Sequence, residues 1–282
     1  MIILFYKYVP VPDAVAEADS QRVLCKGLGL KGRVLIGNEG INGTCCGDAE
    51  AVNKYMAAMR AHPLFSDMEF KQWDSDEAVF TKMFVRVRNE VVTLRSDVNL
   101  ENKAPYISPA DLHAELERGE DLVLIDMRND YEARIGKFRN AVTLPMQNFR
   151  DLPTLLNHLE ALKGKRVVTY CTGGIRCEKA SALLRQSGFS DVRQLEGGII
   201  RYCEQFPDGH FLGSCFVFDR RLRVRYQGKN EPVYLTECSY CKTPCDRYRD
   251  CADNACHDLY ICCEACEKTH AGLCAAHPLP VA

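Results

Sequence analysis

VVTYCTGGIRCEKA, residues 167–180, is the stretch from which the fold of the middle of this 282-residue chain is predicted. Its first residues are mostly apolar and β-branched, which is typical of a strand buried on both faces of a parallel sheet. Glycines at 173 and 174 then turn the chain, and a helix is expected from about Cys177. Cys171 therefore follows the carboxyl end of a strand, where parallel α/β sheets carry their chemistry.

Strands and helices alternate on both sides of this stretch, over residues 105–210. DLVLID at 121–126 and DVRQLEGG at 191–198 have the composition of strands, and KFRNAVTLP at 137–145 supplies another short strand. An amphipathic helix is predicted at 152–164, because leucines recur there at three- and four-residue steps: Leu152, Leu155, Leu156, Leu159 and Leu162. This alternation predicts a parallel α/β domain.

Cys171 is predicted to be a nucleophilic thiolate; the alternative is a buried, unreactive thiol. The glycines let backbone N–H groups point at its sulfur, and the helix N-terminus adds roughly half a positive charge, so both favour the thiolate. Arg176 adds a fixed charge that can hold an anionic group on the sulfur. Cys177 is either a resolving thiol or a plain residue at the helix start. Asp126 and Arg128 are expected to shape the loop rather than to react.

The loop resembles the active-site loop of the rhodanese family. The resemblance continues in DMRNDYE at 126–132, in Gly136, and in GFSDVRQLEGGI at 188–199. It implies that Cys171 carries a persulfide and that the next residues form a substrate- or anion-binding loop: Thr172, Gly173, Gly174 and Ile175. The related Cdc25-type phosphatase loop has C-x5-R spacing. This chain has C-x4-R, with Cys177 at the phosphatase arginine position, so phosphatase activity is not expected.

Residues 1–97 show a different order of elements. Residues 2–9 and 31–37 have the pattern of strands, and a loop is predicted at 37–43. Helices are predicted at 14–29 and 48–62, and a β-rich stretch at 83–94. Asp48 is a suitable N-cap for the second helix. The order β-α-β-β-α-β predicts a ferredoxin-like α+β sandwich. Cys45 and Cys46 beside the loop are interpreted as small buried thiols rather than as a reactive pair.

Composition limits the remaining classes. With 46% hydrophobic and 26% charged residues the chain is globular, and its length suits two or three domains, expected at 1–97, 98–210 and 211–282. No apolar run approaches the ~18 residues of a membrane span, and the N-terminus lacks the features of a signal peptide, so a cytoplasmic location is expected. The net charge of −2 means that any RNA-binding surface must be local.

The tail is rich in cysteine. Nine of the sixteen cysteines lie in the last 45 residues, a density that favours metal binding over disulfides in a reducing compartment. A pair of C-x2-C motifs predicts a structural zinc site formed by Cys238, Cys241, Cys263 and Cys266. A second set is expected from Cys245, Cys251, Cys256 and Cys274, with His257 or His270 in reserve. The alternative is that these are free or oxidised thiols.

A row of arginines precedes the cysteines. In DRRLRVRYQGK, residues 219–229, strand alternation places Arg221, Arg223 and Arg225 on one side. Such a row suits an RNA phosphate backbone, and its alternative is an ordinary solvated face.

Three stretches extend the resemblance along nearly the whole chain: KGRVLIGNEGINGT at 31–44, CTGGIRCEKA at 171–180, and CSYCKTPCDRYRDCAD at 238–253. Together they are similar to the bacterial rhodanese-domain tRNA uridine hydroxylase family. This resemblance implies oxygen-dependent hydroxylation of the wobble uridine, position 34, to 5-hydroxyuridine. Its implied partner is the anticodon region of tRNA, its co-substrate is molecular oxygen, and its loop cysteine corresponds to Cys171.

The residues by themselves do not lead to hydroxylation. The sequence has no Gly-rich dinucleotide fingerprint and no local His/carboxylate trio of the kind that binds non-haem iron. Two other classes therefore stay open: a sulfurtransferase that passes a sulfur from Cys171 to an acceptor, and a zinc-stabilised RNA-binding module. The oligomeric state is left open as well.

Overall fold

The computed structural model describes residues 1–75, 79–226 and 228–277 of the chain. Its contacts divide it into two units, Met1–Arg95 and Ser96–Ala282. The smaller unit holds the elements predicted to form a ferredoxin-like sandwich. The larger unit holds the predicted parallel sheet together with the cysteine-rich tail, so the domain boundary predicted after residue 210 lies within it and stays a prediction.

The smaller unit is a five-stranded sheet with two helices. Its elements are β1 (Ile2–Tyr8), α1 (Ala14–Gly27), β2 (Lys31–Gly37), β3 (Gly40–Cys46), α2 (Ala49–Ala61), β4 (Phe70–Trp73) and β5 (Met83–Val87). The strand order is β4-β1-β3-β2-β5, with β5 parallel to β2 and the other neighbours antiparallel. The ferredoxin-like fold is confirmed. β4 was not predicted from the sequence and lies at an edge of the sheet beside β1. The β-rich stretch predicted at 83–94 contains β5, which is therefore the fifth strand and not the fourth.

Both helices begin at aspartate caps and pack on one face of the sheet. The Asp13 carboxylate accepts the N–H groups of Val15 and Ala16, and Asp48 accepts that of Ala51. The core between helices and sheet is built from alternate strand residues and one side of each helix: Ile3, Phe5, Val34, Ile36, Ile41, Ala18, Val52, Tyr55 and Met59. Cys45 is buried in this core and Cys46, its neighbour in the sequence, is half-buried.

The larger unit contains a parallel sheet flanked by helices, as predicted. Its elements up to residue 205 are β6 (Tyr106–Ile107), α3 (Pro109–Glu117), β7 (Val123–Asp126), α4 (Asp130–Arg134), β8 (Gly136–Phe138), β9 (Val142–Thr143), β10 (Arg166–Tyr170), α5 (Ile175–Gln186), β11 (Asp191–Leu195) and α6 (Gly198–Gln205). The order β6-β11-β10-β7-β9 is parallel throughout. β10 is therefore the central strand, and the loop after it lies over the middle of the sheet.

Two local predictions in this unit are corrected. The helix predicted at 152–164 is a 3-10 helix over Phe149–Leu162. Pro153 lies inside it, and in an α-helix its ring would clash with the carbonyl four residues back, which disfavours the α form there. The single strand predicted at 137–145 is two strands, since β9 joins the parallel sheet while β8 leaves it.

The tail adds short strands and one helix. They are β12 (Phe211–Gly213), β13 (Cys215–Phe216), β14 (Arg223–Val224), β15 (Tyr248–Asp250), β16 (Leu259–Ile261) and α7 (Glu264–Thr269). Its cysteines form an apolar cluster with Ile135, Phe216 and Tyr248, so the tail packs on the rhodanese-like part of the same unit. Within the described ranges, every helix is too short or too polar to cross a membrane.

Candidate functional site

Cys171 lies directly after β10, where the sequence placed it, and is 1% exposed. The loop that follows curls around its sulfur. Gly174 is the N-cap of α5 and adopts a φ of 105°, a left-handed conformation that glycine accepts without strain. In this conformation its N–H donates to Cys171 Sγ at 3.1 Å. The glycine turn thus provides the N–H cradle expected for a thiolate.

Two backbone N–H groups in the first turn of α6 donate to carbonyls of the same loop. Ile199 N–H donates to the Cys171 carbonyl at 2.9 Å, and Ile200 N–H to that of Thr172 at 3.2 Å. Gly198 permits this approach, because a Cβ there would lie 2.5 Å from the Cys171 carbonyl oxygen. The QLEGGI stretch, which sequence comparison alone marked as part of the resemblance, therefore fixes the backbone of Cys171.

The surroundings of Cys171 favour its thiolate. Burial by itself raises the pKa of the thiol. A hydrogen bond from Cys177, the positive charge of Arg176 and the N–H groups of Arg176 and Gly174 outweigh burial and lower the pKa of Cys171 to about 6. Burial and the neighbouring Cys171 raise the pKa of Cys177 well above its ordinary value. The pair is thus one thiolate and one thiol, with Cys177 as the donor.

Arg176 is held by a buried carboxylate. Its guanidinium makes two parallel hydrogen bonds to Glu132, one of them 2.9 Å between Nη2 and Oε2, and a third of 3.3 Å to the Thr172 hydroxyl. Glu132 is fully buried and also accepts the N–H of Asn129, which caps α4. Arg176 therefore points its guanidinium into an ion pair, and its charge acts on Cys171 from a fixed position.

A second buried ion pair lies at the end of β7. Arg128 contacts both carboxylate oxygens of Asp126, at 2.9 and 2.6 Å, and donates to the Gly136 carbonyl at 2.6 Å. Both side chains are almost completely buried. The pair holds Arg128 against the Gly136 carbonyl, and its predicted role in shaping the Cys171 loop stays a prediction. The anion-binding role of the loop itself, residues 172–175, stays a prediction.

The four cysteines of the predicted zinc set come together in the tail. The Sγ atoms of Cys238, Cys241, Cys263 and Cys266 all lie within 4.8 Å of one another. Sulfurs that share a tetrahedral zinc ion lie about 3.8 Å apart, given Zn–S bonds of about 2.3 Å. Cys241 and Cys263 Sγ are separated by 3.7 Å. The N–H of Cys263 also points at Cys238 Sγ, at 3.4 Å. The donor set therefore fits zinc.

The second cluster differs from the predicted one in its fourth member. Its ligand atoms come from Cys251, Cys256, Cys274 and His277. Cys256 and Cys274 Sγ are 3.6 Å apart, and Cys274 Sγ lies 3.7 Å from His277 Nδ1. His277 Nε2 faces the Asp253 carboxylate at 3.6 Å, the arrangement by which proteins orient ligand histidines.

Three residues predicted for this second set lie elsewhere. Cys245 is buried, and its backbone N–H donates to the Thr236 carbonyl. His270 stacks on Tyr240 at 3.7 Å between ring centroids, and His257 is outside both clusters. His277 was not among the predicted ligands, although its spacing of three residues from Cys274 is the same as that between Cys238 and Cys241.

Comparison with known proteins agrees with this arrangement along the chain. Family models match residues 1–91 (UPF0176 acylphosphatase like domain), 108–205 (Rhodanese-like domain) and 212–277 (Rhodanase C-terminal). A relative from Cytophaga hutchinsonii named tRNA uridine(34) hydroxylase is 40% identical over 97% of this chain and 88% of its own length. One of the same name from Bacillus pumilus is 41% identical, over 97% and 86%.

The chain belongs to the tRNA uridine(34) hydroxylase family. The matches extend over the ferredoxin-like unit, the rhodanese-like sheet and the cysteine-rich tail, so membership does not rest on the Cys171 loop alone.

In this family member the arginine row is less uniform than strand alternation predicted. β14 covers only Arg223–Val224, and Arg221 lies in the turn before it, where it pairs with Asp219 at 2.6 Å. Arg223 and Arg225 both contact the buried carboxylate of Asp246. These carboxylates balance part of the row's charge. Contact with RNA at these arginines stays a prediction.

One group of ligand-type side chains was missed by the sequence analysis. His113 and Glu117, one turn apart on α3, have ligand atoms within 4.8 Å of each other and of His210. His210 Nε2 lies 2.7 Å from Glu117 Oε1, and His113 stacks on Phe206 at 3.9 Å between ring centroids. The i, i+4 spacing was a usable local signal. His210, almost a hundred residues away, was not predictable from spacing.

Proposed function

We propose that this protein hydroxylates uridine 34 in the anticodon of tRNA to 5-hydroxyuridine, with molecular oxygen as co-substrate. The observation that carries the proposal is the 40% identity over 97% of the chain to a relative named tRNA uridine(34) hydroxylase. Family matches on both sides of the rhodanese-like part favour this function over a simple sulfur carrier, which needs neither flanking region. A tRNA substrate also accords with the cytoplasmic location expected from the sequence.

Cys171 is the group proposed to act on the base. C6 of uracil is conjugated with the C4 carbonyl, so addition of the thiolate forms an S–C6 bond and moves an electron pair towards C5, the carbon that gains oxygen. C5 then bonds to O₂ and takes up a proton to become C5–OOH, and two thiols reduce the O–O bond, leaving C5–OH, water and a disulfide. The S–C6 bond breaks when C5 loses its proton, which releases 5-hydroxyuridine and the free thiolate. The overall reaction takes up one O₂, two electrons and two protons and releases one water, with thiols oxidised to a disulfide as electron donor.

The site supports this role in two ways. With a pKa of about 6, Cys171 is a thiolate at neutral pH without a separate general base. Its 1% exposure means that a uracil must leave its stack and enter the loop to reach the sulfur, as in other enzymes that act on bases. A wobble uridine in a single-stranded anticodon meets that requirement at low cost.

Product formation under controlled oxygen tests the function. Unmodified tRNA is incubated with the full-length protein and a thiol reductant, under air or under argon, and its nucleosides are analysed by mass spectrometry. We expect 5-hydroxyuridine at position 34 under air only. Equal yields under argon would contradict oxygen dependence, and no product in either atmosphere would contradict the hydroxylase itself.

A fluorinated substrate tests the covalent step. In an anticodon stem-loop with 5-fluorouridine at position 34, C5 carries no proton to lose, so the S–C6 bond should persist. We expect a denaturant-stable complex with the wild type and with the control Cys46→Ser, and none with Cys171→Ser. A complex of equal yield with Cys171→Ser would assign the adduct to another residue.

Sulfur transfer is the second candidate, because the rhodanese-like match covers the Cys171 loop. In that reaction thiosulfate gives its outer sulfur to Cys171 and leaves as sulfite, and cyanide then takes the sulfur as thiocyanate. Thiocyanate formation by a preparation that yields no 5-hydroxyuridine would favour this function. Thiocyanate without loss of hydroxylation would leave the main proposal unchanged.

We also propose that the tail binds two structural zinc ions, one at each cysteine cluster. The sulfur–sulfur separations of 3.7 and 3.6 Å support tetrahedral thiolate ligation. All four ligands of each set come from the protein, which is typical of a structural rather than a catalytic site.

A further inference from the structure

Two histidines and a glutamate meet beside α3 and the end of α6. His113 and Glu117 lie one turn apart on α3, and His210 lies between α6 and β12. One ligand atom of each residue falls within 4.8 Å of the other two, and the three residues are here called the His–Glu–His trio. α6 begins beside the Cys171 loop and is eight residues long, so its far end is about 12 Å away from that loop. The trio is therefore separate from the Cys171 site.

The Nε2 atom of His210 is buried without a suitable partner. It lies 2.7 Å from Glu117 Oε1, yet the carboxylate oxygen is poorly aligned with it. Within the part of the chain that the structure describes, this nitrogen is shielded from solvent and makes no hydrogen bond. Buried polar atoms normally have a partner. Two ligands that bind one ion at a right angle, each about 2.1 Å away, lie about 3.0 Å apart, so a small adjustment would let both atoms share an ion.

The Tyr202 hydroxyl orients both histidines. It contacts Nδ1 of His113 at 2.9 Å and accepts the backbone N–H of His210 at 3.1 Å. The His113 ring also stacks on Phe206, with 3.9 Å between centroids and 8° between the ring planes. A histidine that binds a metal through one ring nitrogen usually has its other nitrogen held by such a partner. With Nδ1 at the hydroxyl, Nε2 is the nitrogen that His113 offers to an ion.

The chemistry of the three ligand atoms selects the kind of ion. Two imidazole nitrogens and one carboxylate oxygen suit zinc, iron(II) and similar divalent ions. The side chain of Glu117 is 61% exposed, so an ion and its water ligands can enter from solvent. We propose that His113, Glu117 and His210 bind one divalent first-row transition-metal ion, with water completing its coordination. The bound ion joins α3 to the segment after α6, and this role goes beyond the proposed function.

Binding of Co²⁺ to the full-length protein tests the site. The protein is first loaded with zinc and dialysed, because an ion held by three protein ligands should leave more readily than zinc held by the four ligands of each tail cluster. Bound Co²⁺ is then counted by equilibrium dialysis. We expect about one Co²⁺ per chain, with the visible absorption of nitrogen and oxygen ligation. Cobalt in the tail would instead show intense thiolate charge-transfer bands.

Variants assign the bound ion to the trio. Tyr202→Phe keeps all three ligands but loses the hydroxyl that orients them, and should weaken Co²⁺ binding roughly 10- to 100-fold. His210→Ala and Glu117→Gln each remove a ligand and should weaken it further. The matched control is His158→Ala, because His158 is exposed in the 3-10 helix of the same unit and is not part of the trio. It should bind Co²⁺ with wild-type affinity. Thermal melting without added metal checks the fold of each variant.

The outcomes separate this site from the hydroxylase and from the tail clusters. No Co²⁺ beyond the thiolate-bound fraction would overturn the site and leave a simple contact between histidine and glutamate. Wild-type affinity in both His210→Ala and Glu117→Gln would place the ion elsewhere and also overturn it. Because no tRNA is present, Co²⁺ binding that these variants lose would support the site even if the wild type forms no 5-hydroxyuridine.

Discussion

The lowered pKa of Cys171 comes from neighbours that lie both near to it and far from it in the sequence. The N–H of Gly174 and the S–H of Cys177 are within six residues, so the local pattern strand–Gly–Gly–helix was enough to predict the thiolate. The carboxylate that holds Arg176 comes from Glu132, 44 residues away. Long-range pairing of this kind is fixed by topology rather than by spacing, and sequence analysis could name Glu132 only through the family resemblance.

The rate at which iodoacetamide alkylates Cys171 should rise with pH, with a midpoint near pH 6. Its folded pKa lies at about 6, below the ordinary value, so the thiolate is present above that pH and is lost as the pH falls through it. Peptide-resolved iodoacetamide labelling from about pH 5 to pH 9 measures the midpoint. Cys177→Ala removes a donor and should raise it. A midpoint of about 8.5 in the wild type would contradict the assignment.

Arg176→Ala should destabilise the protein as well as impair activity. It leaves the Glu132 carboxylate buried without its partner, which costs about 3–5 kcal/mol in similar pairs. The double variant Glu132→Gln/Arg176→Ala removes the buried charge and should recover part of that loss without recovering activity. Urea unfolding and tRNA hydroxylation measure the two effects. Equal stability of the single and double variants would contradict the ion-pair account.

At the scale of elements, the apolar pattern predicted strands of the parallel sheet correctly. It did not predict the 3-10 form of the helix before β10 or the strand β4. β7 and β10 lie where apolar runs placed them, because strands buried on both faces need such runs. β11, whose sequence DVRQL is not such a run, also lies within its predicted stretch. The segment Phe149–Leu162 has the leucine pattern of an α-helix, yet it forms a 3-10 helix with Pro153 inside it. The spacing of the leucines does not register that a proline ring disfavours the α form. β4 was missed because its four residues, FKQW, show too little apolar pattern.

The glycine turn at which α6 begins is the place where a substitution should most directly affect the loop at residues 171–176. In Gly198→Ala the new Cβ meets the Cys171 carbonyl oxygen at 2.5 Å, at a φ of 69° that disfavours alanine. We expect a loss of roughly 1–3 kcal/mol in stability and a larger loss of activity. Gly164→Ala, where nothing lies within 4 Å, is the control and should be neutral in both. Normal activity in Gly198→Ala would mean that α6 does not position Cys171.

For the whole molecule, composition predicted a cysteine-rich tail with the capacity to bind metal, but not which side chains come together in it. Nine cysteines offer many combinations, and spacing resolved only the paired C-x2-C set. The fold, not the spacing, brings His277 to the other three members of the second cluster.

Metal analysis of the reduced protein should find about two zinc ions per chain. His277→Ala removes one ligand of the second cluster and should lower the content to about one, whereas Cys46→Ser, in the other unit, should leave it at two. Because the binding energy of structural zinc is folding energy, a chelator should also make the tail sensitive to protease. A zinc content that His277→Ala leaves unchanged would contradict the second site.

The most direct test of the central claim is transfer of labelled oxygen to tRNA. Unmodified tRNA is incubated with the wild type or with Cys171→Ser under isotopically labelled O₂, and its nucleosides are analysed by mass spectrometry. The account predicts label in 5-hydroxyuridine at position 34 with the wild type, and none with Cys171→Ser although that variant keeps its fold and binds the RNA. Labelled product from Cys171→Ser at the wild-type rate would contradict the account.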